Sequence, residues 1–146
     1  MSIRSEIATT RFLSGYNCAQ AVLDAFRDET GLDEDLALKI ATGLGAGMGR
    51  KQEVCGAVTG GILVLGLRHG RGTTDDHSAT ERTYLRTREL MDRFAAKHGS
   101  CLCRQLLQGY NLATEEGLRR AKADDIINKV CRPCVQTVVE ILEQME

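Results

Sequence analysis

The chain has 146 residues, 42% of them hydrophobic, which is enough for one domain with a single core. Its 19 basic and 20 acidic residues are interspersed and give a formal net charge of -1, so nucleic acid is a poor candidate partner. The longest apolar stretch, residues 54–67, is shorter than the roughly 20 residues that span a bilayer. It predicts a buried helix and no membrane span. The first residues lack the apolar run of a secretory signal, so we expect a cytoplasmic protein.

Helical spacing of apolar residues recurs along the chain, whereas strand-like alternation is missing and only one proline occurs. A first helix is predicted to end near Gly15, and a second runs from a cap at Asn17 to Gly31. A third begins at Asp33 and ends in the glycine-rich run 43–49. A fourth, from about 52 to 69, contains the apolar stretch.

A long polar helix is predicted between a cap at Thr74 and Gly99. Ser100 begins a short helix through Leu107, Thr114 begins another, and the last helix includes residues 135–145. The expected fold class is therefore all-α: a single-domain helical bundle of residues 1–146 with about six or seven helices and a glycine-rich buried helix.

The six cysteines carry the functional argument, because in a reducing compartment they indicate metal binding or redox chemistry more than a disulfide framework. Cys18, Cys55, Cys103 and Cys131 each lie within about one turn of a predicted helix N-terminus. Unpaired N–H groups and the helix dipole favour a thiolate there. The alternative is that the cysteines are core residues, since free cysteine is among the residues most often buried.

The most specific local motif is Cys131-Arg132-Pro133-Cys134, which precedes an amphipathic helix. Thioredoxin-type sites have this spacing, and Arg132 could stabilise a thiolate. No βαβ pattern surrounds the motif, so the thioredoxin fold is excluded, and an early-turn proline beside a core cysteine remains an alternative. Cys101 and Cys103 add a C-x-C pair, and with Cys131 and Cys134 they could hold zinc or an iron-sulfur cluster. Their spacing matches no standard pattern for either.

The glycines around Cys55 indicate that something approaches the fourth helix closely, because glycine within a helix is unfavourable by up to about 1 kcal/mol relative to alanine. Tight packing of another helix on Gly56 and Gly60 is favoured over a bound ligand. The run 43–49 lacks the features of a phosphate loop and is predicted to be a flexible connection beside the thiol. No ligand role is assigned to the three histidines, His69, His77 and His98.

Five segments, residues 15–22, 43–49, 55–60, 103–107 and 131–142, resemble the C_GCAxxG_C_C family, a group of proteins named for redox activity. The resemblance covers nearly the whole chain in the correct order. It implies a helical domain in which Cys18, Cys55, Cys103 and Cys131 matter. Cys101 and Cys134 would then be additions particular to this chain. Related helical domains with iron-sulfur clusters keep a metal-binding interpretation open.

Three functional hypotheses follow. In the first, the thiols perform thiol-disulfide chemistry with Cys131 as the nucleophile and Cys134 or a family cysteine resolving the mixed disulfide. In the second, Cys18, Cys55, Cys103 and Cys131 bind a zinc ion or an iron-sulfur cluster in an electron-transfer module. In the third, the chain is a non-catalytic helical interaction domain. For thiol-disulfide chemistry the expected partner is a redox protein or a small thiol or disulfide. The sequence leaves open whether the chain forms a homo-oligomer.

Overall fold

The computed structural model describes residues 2–145, which form nine right-handed helices and no strand. In chain order the helices are α1 (Ile3–Leu13), α2 (Cys18–Ala25), α3 (Arg27–Thr30), α4 (Glu34–Ala41), α5 (Gly56–His69), α6 (His77–His98), α7 (Cys103–Leu106), α8 (Glu115–Ala123) and α9 (Arg132–Gln144). The predicted all-α fold is confirmed. Within the described part of the chain, no helix is long and apolar enough to cross a membrane.

The main core is formed where α1, α2, α5, α6 and α9 pack together. Helix α5 is buried at most of its positions, as the apolar stretch predicts, because the other helices surround it. A second, smaller apolar cluster is built from four buried residues, Cys103, Leu107, Ala121 and Ile126, and α8 contributes to it. Val130 and Cys131 pack against both clusters, so the segment before α9 joins the two parts of the fold.

The glycines of α5 allow α2 to approach it closely, as predicted. A Cβ added at Gly60 would lie 2.8 Å from the carbonyl oxygen of Ala19, and one added at Gly56 would lie 3.3 Å from the Cβ of Cys18. No side chain larger than hydrogen fits at Gly60 without moving α2, since a real Cβ keeps about 3.4 Å from such atoms. The close approach brings the N-terminal ends of α2 and α5 side by side, and Cys18 and Cys55 lie at those ends.

The glycine-rich run forms a left-handed turn, where the sequence predicted a flexible connection. Residues 46–50 all have positive φ, including the non-glycine residues Ala46, Met48 and Arg50. Left-handed backbone is unfavourable for residues with a Cβ by roughly 1–2 kcal/mol each, so the surrounding contacts must hold this turn. It packs closely on the neighbouring elements: a Cβ at Gly45 would overlap Asn17, and a Cβ at Gly47 would lie 2.8 Å from the Cβ of Cys103.

Several helix boundaries differ from the predictions: α2 ends at Ala25, the cap of α6 is Asp76, and α7 begins at Cys103. Two further differences lie beside the cysteines. Helix α5 begins at Gly56 and not near residue 52, because Gln52 has a left-handed backbone and Val54 pairs with Leu102 in an isolated antiparallel bridge. Cys131 directly precedes the first residue of α9, as predicted, but it does not lie at a free helix start. A π-helical turn, Ile127–Cys131, runs directly into α9, and the backbone of Cys131 is itself helical. Cys131 therefore lies within a continuous helical segment, away from a free N-terminus.

Candidate functional site: a cavity lined by five cysteines

A cavity of about 400 Å³ lies between the main core and the second cluster. Five of the six cysteines line it: Cys18, Cys55, Cys103, Cys131 and Cys134. About half of the other lining residues are aliphatic, and they come mainly from α7, α8, the π-helical turn and the residues next to these elements. All six cysteines of the chain are unpaired thiols in this structure. The fold thus brings cysteines from four separate regions of the sequence to one mainly apolar cavity.

A capping box fixes Cys18 as the first residue of α2. The Asn17 side chain accepts a hydrogen bond from the N–H of Gln20 at 3.0 Å, and the Gln20 side chain accepts one from the N–H of Asn17 at 2.9 Å. Asn17 also donates to the carbonyl of Thr42 at 2.9 Å, which ties the helix start to the chain after α4. Because both cap residues are held by several bonds, the place of Cys18 at the start of α2 is well determined.

The isolated bridge places Cys55 and Cys103 next to each other. The N–H of Cys55 donates to the carbonyl of Cys101 at 2.7 Å, and the N–H of Cys103 donates to the carbonyl of Glu53 at 2.7 Å. Cys55 is the N-cap residue of α5, and Cys103 is the first residue of α7. The pairing of two short segments thus sets two helix starts, each with a cysteine, on the wall of the same cavity.

Cys131 and Cys134 complete the group from one helical face, since residues three apart in a helix lie on the same side. The strongest effect of one thiol on the pKa of another occurs within two pairs, Cys18 with Cys131 and Cys55 with Cys134. Cys134 is almost fully buried, whereas Cys131 is partly exposed. Each pair therefore joins a cysteine of the final helical segment to one at the start of α2 or α5.

The pKa of Cys55 is lowered, although the residue is buried. The largest cause is the hydrogen bond from the Cys134 thiol, which stabilises the Cys55 thiolate, and burial opposes it. The N–H groups of Ala57 and Val58, in the first turn of α5, lower the pKa further. Cys55 is thus the cysteine of this cavity for which the structure favours the charged form.

The neighbouring thiols are shifted in the opposite direction. The hydrogen bond to Cys131, followed by burial, raises the pKa of Cys18 well above its usual value. The hydrogen bond to Cys55, then burial, raises the pKa of Cys134 strongly. Burial, with the nearby charge of Cys55, raises the pKa of Cys103 to about 12. A negative charge on Cys55 opposes ionisation of Cys18, Cys103 and Cys134, because two negative charges in one apolar cavity repel each other.

The structure brings together the four cysteines singled out by the sequence and adds Cys134, which the family resemblance treated as an extra. Cys101 lies outside the cavity: its thiol donates to the carbonyl of Met91 at 3.3 Å, and burial raises its pKa. Arg132, expected to stabilise a Cys131 thiolate, does not line the cavity either. Arg50 and Lys122 do line it and were not predicted as site residues. The basic pair Arg50-Lys51 after the glycine run could have indicated Arg50 as a site residue, whereas no sequence pattern indicates Lys122.

In residues 2–145, no group of three or more His, Cys, Asp or Glu side chains is arranged to hold a metal ion. A structural zinc site directs four ligands to one point at about 2.3 Å from the metal, and the described residues contain no such group. None of the histidines lines the cavity: His69 and His98 end α5 and α6, and His77 begins α6.

Comparison with known proteins agrees with the resemblance seen in the sequence. Neither the curated proteins nor the solved structures include a significant match to the chain. A family model described as "Putative redox-active protein (C_GCAxxG_C_C)" matches residues 16–145, a range that contains every cysteine and all of the cavity except Phe12 and Gly15. The chain therefore belongs to the C_GCAxxG_C_C family.

Proposed function

We propose that the protein is a thiol-disulfide redox protein in which Cys55 is the attacking thiolate and Cys134 is the resolving thiol. One observation carries the proposal: Cys55, the N-cap residue of a 14-residue helix, lines the same cavity as Cys134, whose thiol lowers the pKa of Cys55. A thiolate at such a position with a second thiol in contact is the arrangement that disulfide exchange requires. This assignment replaces Cys131 of the sequence hypothesis, since the dipole argument for Cys131 fails when the helix continues before it.

The reaction balances in two steps. The Cys55 thiolate attacks one sulfur of a disulfide substrate, so a mixed disulfide forms on Cys55 and the first substrate thiolate leaves and takes a proton from solvent. Cys134 then attacks the Cys55 sulfur, forms the Cys55–Cys134 disulfide, and its proton passes to the second substrate thiolate as that leaves. The substrate disulfide is reduced to two thiols, and the cysteine pair is oxidised by two electrons.

The first experiment tests the pairing. Partial oxidation of the reduced protein with glutathione disulfide, alkylation of the remaining thiols and peptide mapping should find Cys55 joined to Cys134 as the first intramolecular disulfide. Cys55→Ser should abolish it, whereas the matched control Cys101→Ser should form it normally because Cys101 lies outside the cavity. A first disulfide that excludes Cys55, or oxidation that stops at glutathione adducts on exposed thiols, would refute the proposal.

The same preparation tests the metal-binding hypothesis. Protein purified without oxygen should contain less than one equivalent of zinc or iron and should show no visible absorption band. The metal-ligand interpretation would instead be favoured if the protein contained tightly bound metal and if Cys18, Cys55, Cys103 and Cys131 were protected from alkylation until a chelator removed that metal.

A further inference from the structure

The cavity beside Cys55 has two further features that the thiol chemistry does not use. Arg50 and Lys122 line it, both are exposed, and neither is paired with a carboxylate in the part of the chain that the structure describes. No acidic residue is among the residues that line the cavity. Apart from the Cys55 thiolate, the charged side chains that line the cavity are therefore both positive.

The two cations come from distant parts of the sequence. Arg50 ends the run of left-handed residues, and Lys122 lies in α8. Because both are exposed while the cysteines Cys55 and Cys134 are buried, the cations lie where the cavity meets solvent and the thiols lie deeper. A molecule that enters would meet the positive charges first.

The rest of the lining favours an apolar body. Leu106, Leu107, Leu112 and Leu118 line the cavity together with isoleucines and a valine near the π-helical turn, and Tyr16 supplies an aromatic ring. A volume of about 400 Å³ lies within the range of small-molecule sites and is too small for a folded protein domain. The occupant must therefore be small, mainly apolar and able to use two cations.

We propose that the substrate of this cysteine site is a small organic disulfide that carries anionic groups, such as carboxylates, on an apolar body. Arg50 and Lys122 bind the anionic groups, and the leucine-rich wall holds the body with its disulfide bond directed at Cys55. The inference rests on the proposed function, since it assigns a substrate class to the same thiol pair. The two cations also reduce the repulsion between an anionic substrate and the Cys55 thiolate.

Two disulfide reagents serve as probes in the test. Dithiobis(nitrobenzoate) has two carboxylates on aromatic rings, and dithiodipyridine is of similar size and uncharged at neutral pH. Each releases a coloured thiol, so the rate of attack by Cys55 can be followed by absorbance, and peptide mapping confirms the residue. Rates are compared between variants for each reagent separately, because the two leaving groups differ in intrinsic reactivity.

The double variant Arg50→Gln, Lys122→Gln should slow the reaction of Cys55 with dithiobis(nitrobenzoate) by about tenfold and change the rate with dithiodipyridine by less than about twofold. Added salt should slow only the reaction of the unsubstituted protein with the anionic reagent. Arg50→Lys should retain most of the rate. The matched control Arg82→Gln, Arg88→Gln removes two exposed positive charges of α6 that do not line the cavity and should leave both rates unchanged.

Other results separate the two proposals. Equal slowing with both reagents means that the cations support the structure of the cavity, and no change with either means that they do not meet the substrate. Each of these results refutes the substrate class while leaving the function of Cys55 in place. A Cys55 that reacts with neither reagent in the native protein refutes both the substrate class and the proposed function.

Discussion

The packing of α2 on α5 can be tested with a single methylene-sized change, Gly60→Ala. The added Cβ would lie 2.8 Å from the carbonyl oxygen and 2.9 Å from the Cα of Ala19, both backbone atoms that cannot rotate away. The two helices would have to separate by roughly 0.5–1 Å, a strain that is unfavourable by about 1–3 kcal/mol in a packed core. Alanine is the better helix former by up to about 1 kcal/mol, which partly offsets the strain.

Gly66→Ala in the same helix is the matched control, since a Cβ there has no heavy atom within 4 Å. The helix-propensity gain is common to both substitutions, so the difference between their free energies of unfolding isolates the steric strain. Urea unfolding followed by circular dichroism should find Gly60→Ala less stable than Gly66→Ala by about 1–3 kcal/mol. Equal stability of the two variants would refute the close approach of α2 and α5, and with it the geometry that brings Cys18 to the cavity.

Two further predictions concern the connections around the site. Gln52→Ala should lower the free energy of unfolding by about 1–3 kcal/mol, because the buried Gln52 side chain donates to the carbonyl of Tyr110 and accepts from the N–H of Leu112, both at 2.9 Å. Urea titration measures the change in stability, and a loss smaller than the experimental error would contradict the prediction. Stability should also fall as pH rises from the ordinary thiol pKa through about 12, because an unfolded chain loses the Cys103 proton in that range while the folded chain keeps it. Cys103→Ala should reduce this alkaline loss, and an unchanged slope would contradict the assignment.

Much of the fold follows from local patterns. The helical period of apolar residues predicts the all-α class, and the capping signal at Asn17 predicts the start of α2 within one residue. The glycines of α5 predict a close neighbour, since no local reason exists for several glycines within one helix. Each of these signals depends on residues a few positions apart, and such signals are visible in a single sequence.

The details that set the chemistry depend on contacts between distant residues. The left-handed turn at Ala46–Arg50 and the bridge between Val54 and Leu102 are held by tertiary packing, and neither leaves a repeating pattern in the sequence. The helical segment before Cys131 is similar: it begins directly after Asp125, which has a left-handed backbone, whereas the sequence predicted a helix start at the Cys131–Cys134 motif. The sequence therefore indicated four of the five cysteines that line the cavity, but not that the pKa of Cys55 is lowered while that of Cys18 is raised.

Cys134 provides the sharpest test of how the thiolate is stabilised, because its thiol is the largest cause that lowers the pKa of Cys55. Cys134→Ala removes the donor, and the pKa of Cys55 should rise, since burial then acts against only the N–H groups of Ala57 and Val58. Cys134→Ser keeps a hydroxyl donor, so Cys55 should retain most of the lowering of its pKa, whereas Cys101→Ala, outside the cavity, should leave the pKa of Cys55 unchanged.

The measurement is the rate of Cys55 alkylation by iodoacetamide across a pH series, with the labelled residue identified by mass spectrometry. Superimposable pH profiles for the serine and alanine variants would contradict stabilisation by a hydrogen bond. A profile that shifts to lower pH on removal of Cys134 would mean that the two sulfurs repel each other as negative charges, and Cys134 would then be unsuited to act as the protonated resolving thiol.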